Sequence, residues 1–166
     1  DPDARYSDGE PVQVTDFFFH FYFMRSKHIK APWYNDYYDD KKFLNITLYN
    51  TRTLSITYYK AKPDVITKAA IRPVPEHHYE ELDEDYLKDY QWEFEPTAGP
   101  YEVREENIND GVAITLTRVI DWWADKKKFY TNRFNPEKIR VTVVREPAKV
   151  FELFRKGELD WHGLSL

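Results

Sequence analysis

The pattern of apolar and polar positions changes several times along the chain, and each change predicts an element. The stretch Val14-Thr15-Asp16-Phe17-Phe18-Phe19-His20-Phe21-Tyr22-Phe23-Met24 is apolar almost throughout and stops at Arg25-Ser26-Lys27. Val14, Phe17, Phe18, Phe21, Met24 and Arg25 share one face at helical spacing, which predicts a helix over Val14 to Ser26. Phe19, Tyr22 and Phe23 widen the apolar stripe, so the helix is expected to be covered on more than one side. Thr15 and Asp16 place polar and acidic groups in its first turn, where they suit the helix dipole. The run falls short of the roughly 20 apolar residues that span a bilayer, and it contains His20. It also lacks the basic flank and small-residue cleavage site of a signal peptide. It reads as a buried helix of a soluble chain.

Further along, the period shortens to two. Leu44 to Tyr49 and Thr53 to Tyr59 alternate apolar and polar residues across Asn50 to Arg52, which predicts an antiparallel hairpin with one buried face. Pro63 to Ala70 predicts a short helix with proline at its start. Ile71 to Pro75 is expected to be extended, because each proline biases its predecessor away from helix. Glu76 to Tyr90 reads as short helical turns. Tyr101 to Arg104 and Val112 to Val119 predict a second strand pair across Asn109-Asp110-Gly111. A strand over Ile139 to Val144 and a helix over Pro147 to Lys156, stopped by Gly157, follow, and Leu159-Asp160-Trp161 reads as the start of another strand. Ser7 to Pro11 and Thr97 to Tyr101 are turns. Ala31 to Asp40 has no period and reads as a loop or irregular turn. The fold class is therefore mixed α/β (α+β), with antiparallel hairpins and packed helices.

Composition narrows the function. The net charge is −5, from 24 basic and 29 acidic residues spread along the chain, which disfavours nucleic acid as a partner. There is no Cys, so disulfides, thiolate metal sites and Cys nucleophiles are excluded. The outlier is aromatic content, with 13 Tyr, 11 Phe and 5 Trp, residues that suit both cores and ligand surfaces. His77-His78 with Glu80-Glu81 has poor spacing for chelation and reads as an exposed polar turn. Asp16, Asp121 and Asp160 sit at element boundaries, where capping explains them. No G-x-S-x-G elbow and no phosphate loop occur. Trp122-Trp123 beside Lys126-Lys127-Lys128 reads as an anchored aromatic pair with a solvated lysine run.

Several segments, in order, resemble the family 5 extracellular solute-binding proteins, the peptide receptors of bacterial ABC importers. Ser7-Asp8-Gly9-Glu10-Pro11 with Asp16 looks like the family's SDG-x-P turn before its helix. Gly99-Pro100-Tyr101, Ile114 to Arg118 and Trp122 or Trp123 look like its GPY strand, I-x-L-x-R strand and YW pair. Ile139 to Val144, Phe151 to Phe154 and Gly157-Glu158-Leu159-Asp160 look like its strand, helix and GE-x-D turn. Arg133-Phe134-Asn135 and Pro32-Trp33-Tyr34 to Tyr37-Tyr38 are most similar to the branch of the microcin C transporters. Two positions depart from the pattern: Gln13, a poorer cap than the usual Thr, and Val119 where Asn is common.

The resemblance implies part of the first lobe of a two-lobed periplasmic binding protein, with residues 1–138 an inserted subdomain, 139–166 a strand and helix of the main sheet, and the second lobe absent. The chain begins with Asp rather than Met and so reads as a processed product or an excised piece. The implied function is capture of a short peptide for an inner-membrane ABC permease, by a periplasmic monomer without cofactor or reaction. In that family the loop of Trp33, Tyr34, Tyr37 and Tyr38 can bring an aromatic toward the bound peptide, and these four are the ligand-binding candidates; packing of the subdomain's own core is the plainer role for them. Other readings are a receptor for a nickel complex, oligosaccharide or peptidoglycan fragment, a carbohydrate-binding module, and an enzyme domain.

Overall fold

The computed structural model describes residues 1–29, 32, 43–61, 63–65, 71–79, 82–161 and 163. Two assemblies make up the described chain: an N-terminal helix braced by irregular segments, and a four-stranded antiparallel sheet followed by a helix.

Helix α1 runs over Val14–Arg25. Asp16 fixes its start. Its Oδ2 accepts the Gln13 backbone N–H at 2.7 Å, so the acidic side chain reaches back over the first turn. The Ser7–Pro11 turn precedes the helix. Gly9 holds φ +96 there, a conformation that a Cβ would strain. The same turn is stapled to a remote one: Ser7 N donates to Thr97 O at 2.8 Å, and Thr97 N to Ser7 Oγ at 3.2 Å.

The face that α1 buries differs from the one the spacing predicts. Val14, Asp16, His20, Phe21 and Phe23 are buried, whereas Phe18 is 48 % exposed. The reason lies outside the helix. Val74 N donates to Asp16 O at 3.2 Å and Glu76 N to Asp16 Oδ1 at 3.3 Å, so the extended 71–75 segment docks on the Asp16 side. Val74 and Pro75 are buried against it.

Strands β1 (Phe43–Asn50) and β2 (Thr53–Tyr58) form the expected antiparallel hairpin. Ile46 faces Ile56 and Leu48 faces Leu54. The expected buried face is only half covered: no β2 residue is buried, and Leu48 is 40 % exposed. The helix expected over Pro63 to Ala70 falls largely outside the described residues. A 3-10 turn at Glu76–His78 and helix α2, Tyr86–Tyr90, follow.

The second assembly is organised by β5 (Ala113–Arg118). Strands β3 (Tyr101–Glu102) and β4 (Ile108–Asn109), separated by a 3-10 turn at Glu105–Asn107, both pair with it. The strand expected over Tyr101 to Arg104 is thus shorter, ending at Glu102, and Ile108–Asn109 adds a second short strand beyond the turn. Strand β6 (Lys138–Thr142) runs antiparallel to β5, with Ile139 opposite Leu116 and Val141 opposite Ile114. Helix α3 spans Pro147–Arg155. It ends as a glycine-terminated helix should: Gly157 has φ +75, its N–H donates to Phe154 O, and Glu158 N donates to Leu153 O. No residue of α3 is buried; Phe151 is 51 % exposed. No helix among the described residues is long and apolar enough to cross a membrane.

Candidate binding surface

The four ligand-binding candidates, Trp33, Tyr34, Tyr37 and Tyr38, lie outside the described residues. What precedes them is defined. Helix α1 stops at Arg25, Ser26 turns extended, and Ile29 N closes a turn onto Ser26 O at 3.2 Å. After the loop, the chain is described again at Phe43 as β1.

Beneath α1 the aromatic side chains interlock with one another. The Tyr79 ring stacks on Phe19 at 5.8 Å and meets Phe23 at 5.0 Å. Tyr90 lies 5.0 Å from Tyr79 and 5.6 Å from Tyr86. Phe23 is buried among these half-buried rings, and their mutual packing accounts for part of the aromatic excess without any ligand. The Tyr79 hydroxyl donates to Glu95 Oε2 at 2.8 Å. Burial pushes the Tyr79 phenol well above its usual range, and the Glu95 carboxylate adds to the effect. Desolvation raises the Glu95 carboxyl, partly countered by the Tyr79 hydroxyl.

His20 is 5 % exposed, and burial lowers its pKa to about 4, with the Arg72 guanidinium adding to the effect. His77 Nε2 donates to Asp8 Oδ2 at 2.8 Å, which ties the 76–78 turn to the Ser7–Pro11 turn. His78 joins the aromatic cluster, 4.9 Å from Tyr79, and burial lowers its pKa. The two neighbouring histidines thus point into different surroundings, as their adjacency requires, and no group of metal-ligating side chains forms among the described residues.

The tryptophans are anchors. Trp122 and Trp123 both donate their indole N–H to Ala98 O at 2.9 Å. Tyr130 and Phe134 pack edge-on against Trp122 at 5.1 and 5.6 Å. Of the lysine run, Lys127 is drawn off to Asp1 and Asp3. Asp121 is at φ 54 and Asp16 is the helix-start acid described above, so both belong to backbone geometry.

A groove of about 960 Å³ opens between residues 88–96 and 102–110. Trp92, 54 % exposed, and Phe94, 43 % exposed, form part of its lining. Among the described residues lining it, Ser7 is the one Ser or Thr, and its Oγ accepts the Thr97 N–H. Such a lining can bind through aromatic faces and carboxylates. Sequence reasoning passed over Tyr79, Glu95 and this groove. The one local signal was Trp92-Glu93-Phe94-Glu95, where aromatics alternate with acids.

Comparison with known proteins follows from this architecture. The sequence profile of the bacterial extracellular solute-binding proteins, family 5 Middle, matches residues 1–166. A Brucella melitensis protein named only as a binding protein is 26 % identical over 163 residues, covering 96 % of this chain and 25 % of its own length. Among solved structures, the periplasmic oligopeptide-binding protein of a Thermotoga maritima ABC transporter, with mannohexaose bound, has a TM-score of 0.73 at 21 % identity, over 100 % of this chain and 30 % of that one. The oligopeptide-binding protein AppA of Bacillus subtilis, in complex with a nonapeptide, has a TM-score of 0.67 at 15 % identity, over 94 % and 29 %. NikZ of Campylobacter jejuni, in complex with Ni(L-His), has a TM-score of 0.68 at 15 % identity, over 96 % and 30 %. The chain spans about a quarter to a third of the length of the relatives it matches. With the mixed helices and antiparallel sheets of that fold and a profile match along its whole length, the chain belongs to the bacterial extracellular solute-binding proteins, family 5.

Proposed function

We propose that this chain is part of the solute receptor of an ABC importer, one that captures short peptides in the periplasm and delivers them to an inner-membrane permease. The observation that supports it most is the fold likeness along the whole chain to an oligopeptide-binding protein of an ABC transporter. Trp33, Tyr34, Tyr37 and Tyr38 face the peptide in this reading. Flat rings with hydroxyls accept varied side chains, while the peptide backbone supplies directional hydrogen bonds. Two lobes closing on the ligand gain contacts that only the closed state makes. The receptor acts as a monomer and carries out no reaction and uses no cofactor.

Residues 1–138 form a subdomain inserted in the first lobe, and 139–166 belong to that lobe's main layer. The apolar residues on β6 and α3 support this division. Ile139 is 39 %, Val141 55 % and Phe151 51 % exposed, a face that a further layer of the lobe would cover.

Native mass spectrometry of the full-length protein tests the reading. Bound mass that resolves into short peptides is the expected result. Bound sugar or a metal–amino acid complex, with no thermal shift from a peptide library, would replace peptide as the solute.

A further inference from the structure

We propose that the groove between residues 88–96 and 102–110 binds a short, extended peptide rich in lysine or arginine. Most of the charged side chains lining the groove are acidic. Glu102 pairs with Arg104, and Glu95 accepts from Tyr79. Asp89, Glu93, Glu105 and Asp110 also line the groove, and Lys88 is the only cation there without an ion pair among the described residues. The lining therefore carries an uncompensated negative field, concentrated by low-dielectric walls. Trp92 and Phe94 add exposed ring faces, onto which an ammonium or guanidinium group docks.

Shape selects an extended chain over a compact cation. One wall is an edge of the sheet: β3 and β4 pair only with β5, so their outer side has no strand partner among the described elements. An incoming peptide can add its backbone to such an edge while its basic side chains reach the carboxylates. The volume of about 960 Å³ lies near the top of the ~300–1,000 Å³ range of ligand sites. The proposal uses only described groove residues and none of the candidates at 33–38, so its failure leaves the capture reading as it stands.

Calorimetric titration of the full chain with tetralysine tests the proposal. The expected result is saturable binding that weakens with salt. Trp92→Ala should weaken it about tenfold, as should the pair Glu105→Gln with Asp110→Asn. Glu152→Gln with Glu158→Gln removes the same charge from the far end of the chain and should change affinity by less than about twofold. Tetraglutamate should not bind. Three results would overturn the proposal. One is absence of saturable binding. Another is an equal loss in the Glu152/Glu158 variant, which marks general attraction to an acidic protein. The third is self-association abolished by Lys126→Ala with Lys128→Ala, which makes a second copy the occupant.

Discussion

The two ends of this chain bury their apolar residues in different ways. Around α1, polar and apolar groups are settled together: Asp16 takes backbone N–H groups from Gln13 and Glu76, and Phe23 is 8 % exposed among tyrosine rings. At the other end, β6 and α3 are equally well formed, with complete pairing along β5 and a glycine stop, yet Phe151 and Val141 are more than half exposed. Regular hydrogen bonding alone therefore does not mark a finished core. A helix end or a strand register is local, whereas burial needs a second surface.

This contrast can be broken by experiment, beginning with the largest effect. Phe23→Ala should cost about 3–5 kcal/mol by urea denaturation, because its ring contacts are close-packed on several sides. Phe151→Ala should change stability by less than about 0.5 kcal/mol in the same chain. Equal losses would erase the distinction between the two ends.

Acid should act on the α1 end. His20 stays neutral in the folded chain down to about pH 4, while an unfolded histidine titrates near 6.5. Between those values the unfolded chain binds the proton first, so stability is complete above about pH 6.5 and falls as pH drops toward 4, by about 3 kcal/mol in all. Stability measured against pH should show this loss, and His20→Phe should flatten it. Next in size, Asp16→Ala should cost about 2 kcal/mol by thermal melting, through loss of the helix-start bond and of the bond from Glu76 N. A smaller backbone effect is expected at Asp121. Asp121 holds φ 54, so Asp121→Ala should be about 1 kcal/mol less stable than Asp121→Gly.

The helix, both hairpin turns, the glycine stop and the strand 113–118 were legible in the sequence, because each rests on a local pattern. The buried face of α1 was not. The helix is apolar nearly all round, so its period carries no phase, and the docking segment that sets the phase lies 60 residues away in sequence. Gln13 is a weak cap by type, but Asp16 three residues on takes its N–H, a reciprocal contact that a single-residue rule overlooks. The aromatic excess divides similarly. Tyr79, Tyr86 and Tyr90 are half-buried and pack on α1 and on each other, whereas composition alone allowed core or ligand surface. The ligand-binding candidates at 33–38 lie outside the described residues and rest on the family resemblance of their sequence.

Amide hydrogen exchange followed by mass spectrometry tests the central contrast most directly. The account predicts slow exchange in α1, in residues 74–79 and in β5, and fast exchange in α3 of this chain, with α3 becoming protected in the full-length protein. Protection of α3 in this chain equal to that of α1 would contradict it.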